Sequence, residues 1–192
     1  MNRLVAILIG ALAIIGGVRA QTAPDAPSPR ESAIEALQDL VAIAEYDRVA
    51  ELLAHDPGLA TARGKFGFSA MNVQDMHFDP RIFALLLKNG ANVNDANNEG
   101  ITLLHILAEP EYVPLLLEHG ADLEARDVLG RTPLLVQMEE PESYDRVAAL
   151  LAAGADPNVR GARGQTPLSL ASEADASVDL IKLLHDHGAH LE

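Results

Sequence analysis

One short phrase recurs along this chain at nearly constant spacing. Leu-Leu-Leu-Lys-Asn-Gly-Ala-Asn-Val-Asn at 85–94 returns as Leu-Leu-Leu-Glu-His-Gly-Ala-Asp-Leu-Glu at 115–124, Leu-Leu-Ala-Ala-Gly-Ala-Asp-Pro-Asn at 150–158 and Leu-Leu-His-Asp-His-Gly-Ala-His at 183–190. Its glycines, Gly90, Gly120, Gly154 and Gly188, lie 30, 34 and 34 residues apart. A second series, Gly67, Gly100, Gly130 and Gly164, is spaced by 33, 30 and 34 residues. Three of its members precede Ile-Thr-Leu-Leu-His, Arg-Thr-Pro-Leu-Leu and Gln-Thr-Pro-Leu-Ser. Two landmarks sharing one period require a stack of one small unit, because a unit of ~33 residues cannot bury its own apolar face.

This pattern resembles the ankyrin repeat, over residues 31–192. The resemblance implies an all-α solenoid of about five helix-turn-helix repeats with short β-hairpin fingers, at 31–63, 64–96, 97–126, 127–160 and 161–192. Thr-Pro would open an inner helix and Leu-Leu would end an outer one. Gly90, Gly120, Gly154 and Gly188 would close the outer helices in a left-handed conformation. The first unit lacks Thr-Pro, as capping repeats often do. The second opens on Phe68-Ser69-Ala70-Met71, with an inner helix expected through Met76-His77-Phe78. The third is three or four residues short around Pro110 and Pro114, which predicts a tight connection.

Ahead of the repeats stands a segment of different character. Arg3 precedes a 15-residue apolar run at 4–18, and Val18-Arg19-Ala20 resembles a small-x-Ala cleavage site. The run is shorter than the ~20 residues of a spanning helix. Residues 1–20 therefore read as a cleaved signal peptide, and 21–30, with three prolines, as an extended tether. In a Gram-negative bacterium this predicts a periplasmic domain, with no membrane attachment after cleavage. No cysteine is present, so neither a disulfide nor a thiolate metal site is available.

The chain has 14 basic and 28 acidic residues; losing Arg3 and Arg19 with the leader takes the formal charge from −14 to −16. Such a charge favours a soluble monomer and disfavours nucleic acid or anionic lipid as a partner.

The sequence motifs for catalysis fail on inspection. Gly67-Phe68-Ser69-Ala70-Met71 lacks the second glycine of a nucleophile elbow. Gly161-Ala162-Arg163-Gly164-Gln165 lacks the lysine and hydroxyl of a phosphate loop. The pair Glu139 and Glu140 lies at an open turn, where no enclosure shifts one carboxyl against the other. His185, Asp186, His187 and His190 form the densest metal-like cluster, yet His187 and His119 each precede a helix-closing glycine, where a polar group solvates the helix end. His105 occupies the position at which the resemblance implies a bond to the neighbouring finger's backbone. No enzyme, cofactor or metal is expected, although an enzyme or metal protein built on the terminal histidines remains an alternative.

Partners of ankyrin-like proteins are usually met by finger tips and by the exposed edge of the inner helices. Alignment on the glycine before Thr puts Arg63, Lys65, Phe66 and Phe68 on the first finger and Asn98, Glu99 and Ile101 on the next. Arg126, Val128, Leu129 and Arg131 fall on the third and Arg160, Arg163 and Gln165 on the fourth. Six of the 12 mature basic residues thus sit on fingers, while Glu109, Glu139, Glu140 and Glu173 mark the ends of inner helices. The expected face is arginine-rich and apolar at its tips above an acidic palm, its partner another protein. Two competing readings stay open: Phe66 and Phe68 pack inward, and the finger arginines pair with Asp95, Asp122, Asp127 and Asp156.

Some exported bacterial ankyrin-repeat proteins of this length and layout are immunity proteins that block a toxic effector. That role is the leading expectation, with a periplasmic scaffold or stress-protection factor as the alternative.

Overall fold

A computed structural model describes residues 27–74, 77–140, 143–173 and 177–190. The first helix, α1 (Pro29–Ala42), begins where Ser28 and Glu31 satisfy each other's backbone: the Glu31 N–H donates to Ser28 Oγ at 3.3 Å and the Ser28 N–H to Glu31 Oε2 at 2.7 Å. Pro29 supplies a preset φ at the first helical position. Residues 29 and 30, expected in the tether, are therefore helical. The proposed leader and residues 21–26 lie outside the described residues.

Eight helices follow: α2 (Tyr46–His55), α3 (Pro80–Lys88), α4 (Leu103–Ile106), α5 (Val113–Glu118), α6 (Pro133–Met138), α7 (Tyr144–Ala152), α8 (Pro167–Glu173) and α9 (Val178–Asp186). They form two layers. In the inner layer α1 meets a 3₁₀ turn at Met71–Val73, that turn meets α4, α4 packs on α6 and α6 on α8. In the outer layer α2 packs on α3 and α7 on α9, with the 3₁₀ turn Pro110–Tyr112 seated against α7. Between the layers Leu37, Leu53, Met71, Ile82, Phe83, Leu86, Leu103, Leu116, Leu134, Leu135 and Leu184 are fully buried. The shortened third unit keeps only four residues of inner helix.

The inner helix expected through Met76-His77-Phe78 is absent: the element is the three-residue turn Met71–Val73, and His77 and Phe78 lie outside any helix. Met76 itself falls outside the described residues. Asn72 is the physical reason. Its buried side chain accepts the Ser69 N–H at 2.7 Å and donates to the carbonyls of Asp95 and Ile101, both at 3.3 Å. An amide so engaged competes with helical backbone bonding, and Asn72 itself has φ −103° and ψ 30°.

Each closing glycine performs its expected role. Gly90, Gly120, Gly154 and Gly188 have φ between 84° and 98°. The alanine N–H after each then reaches back to the outer helix, as Ala91 to Leu86 and Ala121 to Leu116, both at 3.0 Å.

The expected β-hairpin fingers are not formed as paired strands. Among the described residues the only bridge is an isolated antiparallel one between Arg63 and Ser69. The loops are instead closed turns. Asn97 N–H donates to Ile101 O, Asp127 N–H to Arg131 O and Gly161 N–H to Gln165 O, at 3.0 to 3.1 Å. The next potential bonds go sideways rather than along a ladder: Asn98 N–H donates to Phe66 O at 2.9 Å and Val128 N–H to Glu99 O at 2.8 Å. Gly100 is needed for this approach, because a Cβ there would lie 2.8 Å from the Asp127 Cα.

Candidate protein-binding face

The turns share one internal design. Asn97 Oδ1 accepts the N–H groups of Glu99 and Ile101, at 2.9 and 3.0 Å. One unit on, Asp127 Oδ1 accepts those of Leu129 and Arg131, at 2.9 and 2.8 Å. A side chain that satisfies its own turn fixes the tip without help from a partner.

Arginines then join turn to turn. Arg63 donates to the carbonyl of Gly67 at 3.0 Å, to that of Ala96, and to Asp95 Oδ1 at 3.2 Å. Arg126 donates to Gly130 O and Arg160 O, both at 2.8 Å. Arg131 is more deeply held, with 15% of its side chain exposed: it pairs with Asp127 Oδ2 at 2.7 Å and Glu139 Oε2 at 2.5 Å. Burial opposes the charge of that guanidinium, but the bonds to Asp127 and Glu139 outweigh it and hold its pKa above the ordinary arginine value. Lys65 pairs with Glu35 at 2.6 Å. Four of the cations expected to offer themselves to a partner, Arg63, Lys65, Arg126 and Arg131, are thus employed within the chain, in part with the carboxylates of the competing reading.

Other expected positions divide. Ile101 is 2% exposed and belongs to the core, so it cannot meet a partner; the turn closure by Asn97 points it inward. Phe68 is half-buried, its carbonyl accepting from Gln38 Nε2 at 2.7 Å. Glu139 is taken up by Arg131. Glu109 is half-buried: its Oε1 accepts the Phe78 N–H at 3.4 Å, while its Oε2 is buried without a donor. Glu99 and Glu140 are half-buried, and Asn98 and Arg160 are exposed. Exposed Arg163 lines a shallow pocket of about 380 Å³ with Gln165, Ser169, Leu170 and Glu173.

What remains at the tips is apolar. Phe66 is 55% exposed, Val128 67% and Leu129 55%. Phe66 does not pack inward, and its φ of 56° lies in the left-handed region that suits glycine. Val128, expected on the same finger as Leu129, stands exposed beside it: two adjacent apolar residues in a turn sequence that otherwise calls for polar ones.

His105 is held within the fold by both ring nitrogens. His105 Nδ1 lies 3.2 Å from the Thr102 N–H and 2.8 Å from Thr102 Oγ1, and its Nε2 is 3.3 Å from Arg131 O. The Thr102 N–H requires an unprotonated Nδ1, so Nε2 carries the hydrogen to the neighbouring turn. Burial pushes the pKa of this ring down. The chain extends through Gln137, which donates to His105 O at 2.8 Å and accepts from Arg146 Nε at 2.5 Å. Sequence reasoning did not find this Gln137–Arg146 pair, because it joins positions with no shared motif. At the C-terminal cluster, His187 Nδ1 is 2.9 Å from Leu183 O and His190 Nδ1 3.2 Å from Gly188 O. Among the described residues no group of three or more His, Cys, Asp or Glu is arranged to hold a metal ion.

The comparisons agree with this architecture. The family model described as ankyrin repeats, in three copies, matches residues 68–161. The mouse (Mus musculus) protein "Ankyrin repeat and SOCS box protein 6" is 33% identical over 148 residues, 72% of this chain and 31% of that relative. The chain thus spans about a third of the length of that relative. It carries ankyrin repeats across its central part, and such repeats make it a protein–protein interaction module.

Proposed function

We propose that this chain is an exported, periplasmic binding protein of the immunity type, which captures a toxic effector protein and neutralises it. Phe66, Val128 and Leu129 carry this reading: three large apolar side chains stand in solvent on turns whose backbone is already bonded internally. Preorganised apolar tips lose little entropy on docking, and desolvated apolar anchors dominate interface energies. The units before 68 and after 161 complete the stack at its ends. Export rests on Arg3, the apolar run at 4–18 and Val18-Arg19-Ala20.

The decisive experiment measures capture of the effector encoded beside this gene by the mature chain. Val128→Ser with Leu129→Ser should weaken capture at least tenfold while the melting temperature holds. Undiminished capture would remove the tips from the binding face, and a locus with no toxin gene would favour the scaffold role over immunity.

A further inference from the structure

The division of charge over this face carries a more specific conclusion about the partner, resting on the reading of the tips as the binding surface. Four of the six finger cations bond within the chain: Arg63 and Arg126 to turn carbonyls, Arg131 to Asp127 and Glu139, Lys65 to Glu35. The carboxylates of the same face are not matched in this way. Among the described residues Glu99, Glu140 and Glu173 take part in no ion pair within 4.0 Å.

A second observation points the same way. Gln74, 1% exposed, keeps its Oε1 without a donor, and Glu109 keeps its Oε2 without one. Gln74 directly follows the turn Met71–Val73, and Glu109, 35 positions on, stands between α4 and the turn Pro110–Tyr112. Both orphaned atoms are acceptors, so what each lacks is an N–H donor. A buried acceptor left unmet is costly to the free protein, and a donor that reaches it as side chains rearrange on docking relieves that cost.

We infer that the partner presents a basic surface carrying apolar side chains: its apolar groups pack on Phe66, Val128 and Leu129, and its lysines or arginines meet the carboxylates of Glu99, Glu109, Glu140 and Glu173. The formal charge of −16 on the mature chain adds long-range attraction to the same class of partner. An acidic partner would meet four carboxylates that take part in no ion pair among the described residues.

Three fluorescein-labelled 12-residue peptides test this against the mature chain by anisotropy: alternating Lys and Leu, alternating Glu and Leu, and alternating Lys and Ser. The Lys-Leu peptide should bind, the Glu-Leu peptide should not, and the Lys-Ser peptide should bind at least tenfold more weakly than the first. Raising salt from 50 to 300 mM should weaken the Lys-Leu complex several-fold. Glu140→Gln with Glu173→Gln should weaken it at least fivefold. Glu118→Gln with Asp186→Asn, on the last residues of α5 and α9, removes the same charge elsewhere and should change it less than twofold. Equal losses from the two pairs would reduce the effect to net charge and overturn the inference, as would binding of the Glu-Leu peptide or of neither Leu peptide. Val128→Ser with Leu129→Ser separates the two claims. If it abolishes binding of a Glu-Leu peptide, the tips are the surface and the basic-partner inference fails. If it leaves Lys-Leu binding untouched, the reading of the tips fails.

Discussion

The guanidinium of Arg126 donates to the carbonyl oxygen of Arg160 at 2.8 Å, one repeat length further along the chain. A second bond to Gly130 O, also 2.8 Å, holds the same group against its own turn. A single side chain therefore ties two units at their edge. Arg126→Met should cost about 1 kcal/mol in urea unfolding, since both bonds are charge-assisted but solvent-exposed. It should also speed hydrogen exchange of the Val128 amide. Arg126→Lys, with no planar fork, should recover only part of the loss. Unchanged stability in both variants would show that the bridge contributes nothing.

Leu116, 0% exposed, lies between the layers at the centre of the stack. Leu116→Ala should cost about 2 to 5 kcal/mol. Neighbouring units should loosen with it, because each unit is stabilised mainly by its contacts with the next. Calorimetry checks the first claim. Hydrogen exchange in α6 checks the second.

The architecture was legible because glycine and Leu-Leu recur at one period, and the left-handed φ at Gly90 and Gly120 is what that recurrence requires. The second unit was not, since Asn72 defeats its helix through bonds to Asp95 and Ile101, contacts no local pattern reveals. The arginines teach the opposite lesson. Arg63, Arg126 and Arg160 hold one register position at spacings set by the repeat, and a cation that recurs with the unit serves the unit. Arg63 and Arg126 do so by reaching carbonyls 33 and 34 residues ahead. Their residue type and their place on the fingers made them look like interface residues. The exposed apolar tips were partly legible, because Leu129 and Phe66 break a polar turn sequence, whereas the orphaned oxygens of Gln74 and Glu109 depend on packing.

His105 makes stability depend on pH. Burial lowers its pKa below the ordinary 6.5, so the unfolded chain binds a proton there more readily than the folded one. Stability from this group is complete above pH 6.5 and declines as pH falls below it. The melting temperature should therefore drop between pH 7.5 and 5.5. His105→Gln should lower the melting temperature at pH 7.5 and flatten that slope. A wild-type slope kept by the variant would assign the pH effect to other groups.

Arg131, Asp127 and Glu139 couple the third turn to the end of α6. With 15% of its side chain exposed, Arg131 leaves two carboxylates without a counter-charge when removed. Arg131→Met should cost about 2 to 4 kcal/mol, most of it from the 1%-exposed Asp127 side chain. Arg131→Met combined with Asp127→Asn should recover part of that cost, because the stranded charge is gone. A double-mutant cycle by urea unfolding measures the coupling, and strict additivity would show that the pair is not interacting.

Phe66 brings stability and binding into opposition. Its φ of 56° costs a non-glycine residue about 1 to 2 kcal/mol, and its ring, 55% exposed, recovers little of that by packing. Its backbone bond, accepting from Asn98 N–H at 2.9 Å, needs no side chain. Phe66→Gly relieves the strain but adds about 0.5 to 1 kcal/mol of unfolded-state entropy. The folded protein should then be unchanged or up to about 1 kcal/mol more stable. Phe66→Val adds a β-branch where φ is positive and should destabilise instead. Both should weaken capture of the partner, since each removes the ring. Thermal unfolding beside binding titration checks the pattern. Loss of stability in Phe66→Gly would show that the ring packs into the fold, and retained affinity in both variants would show that the partner does not use it.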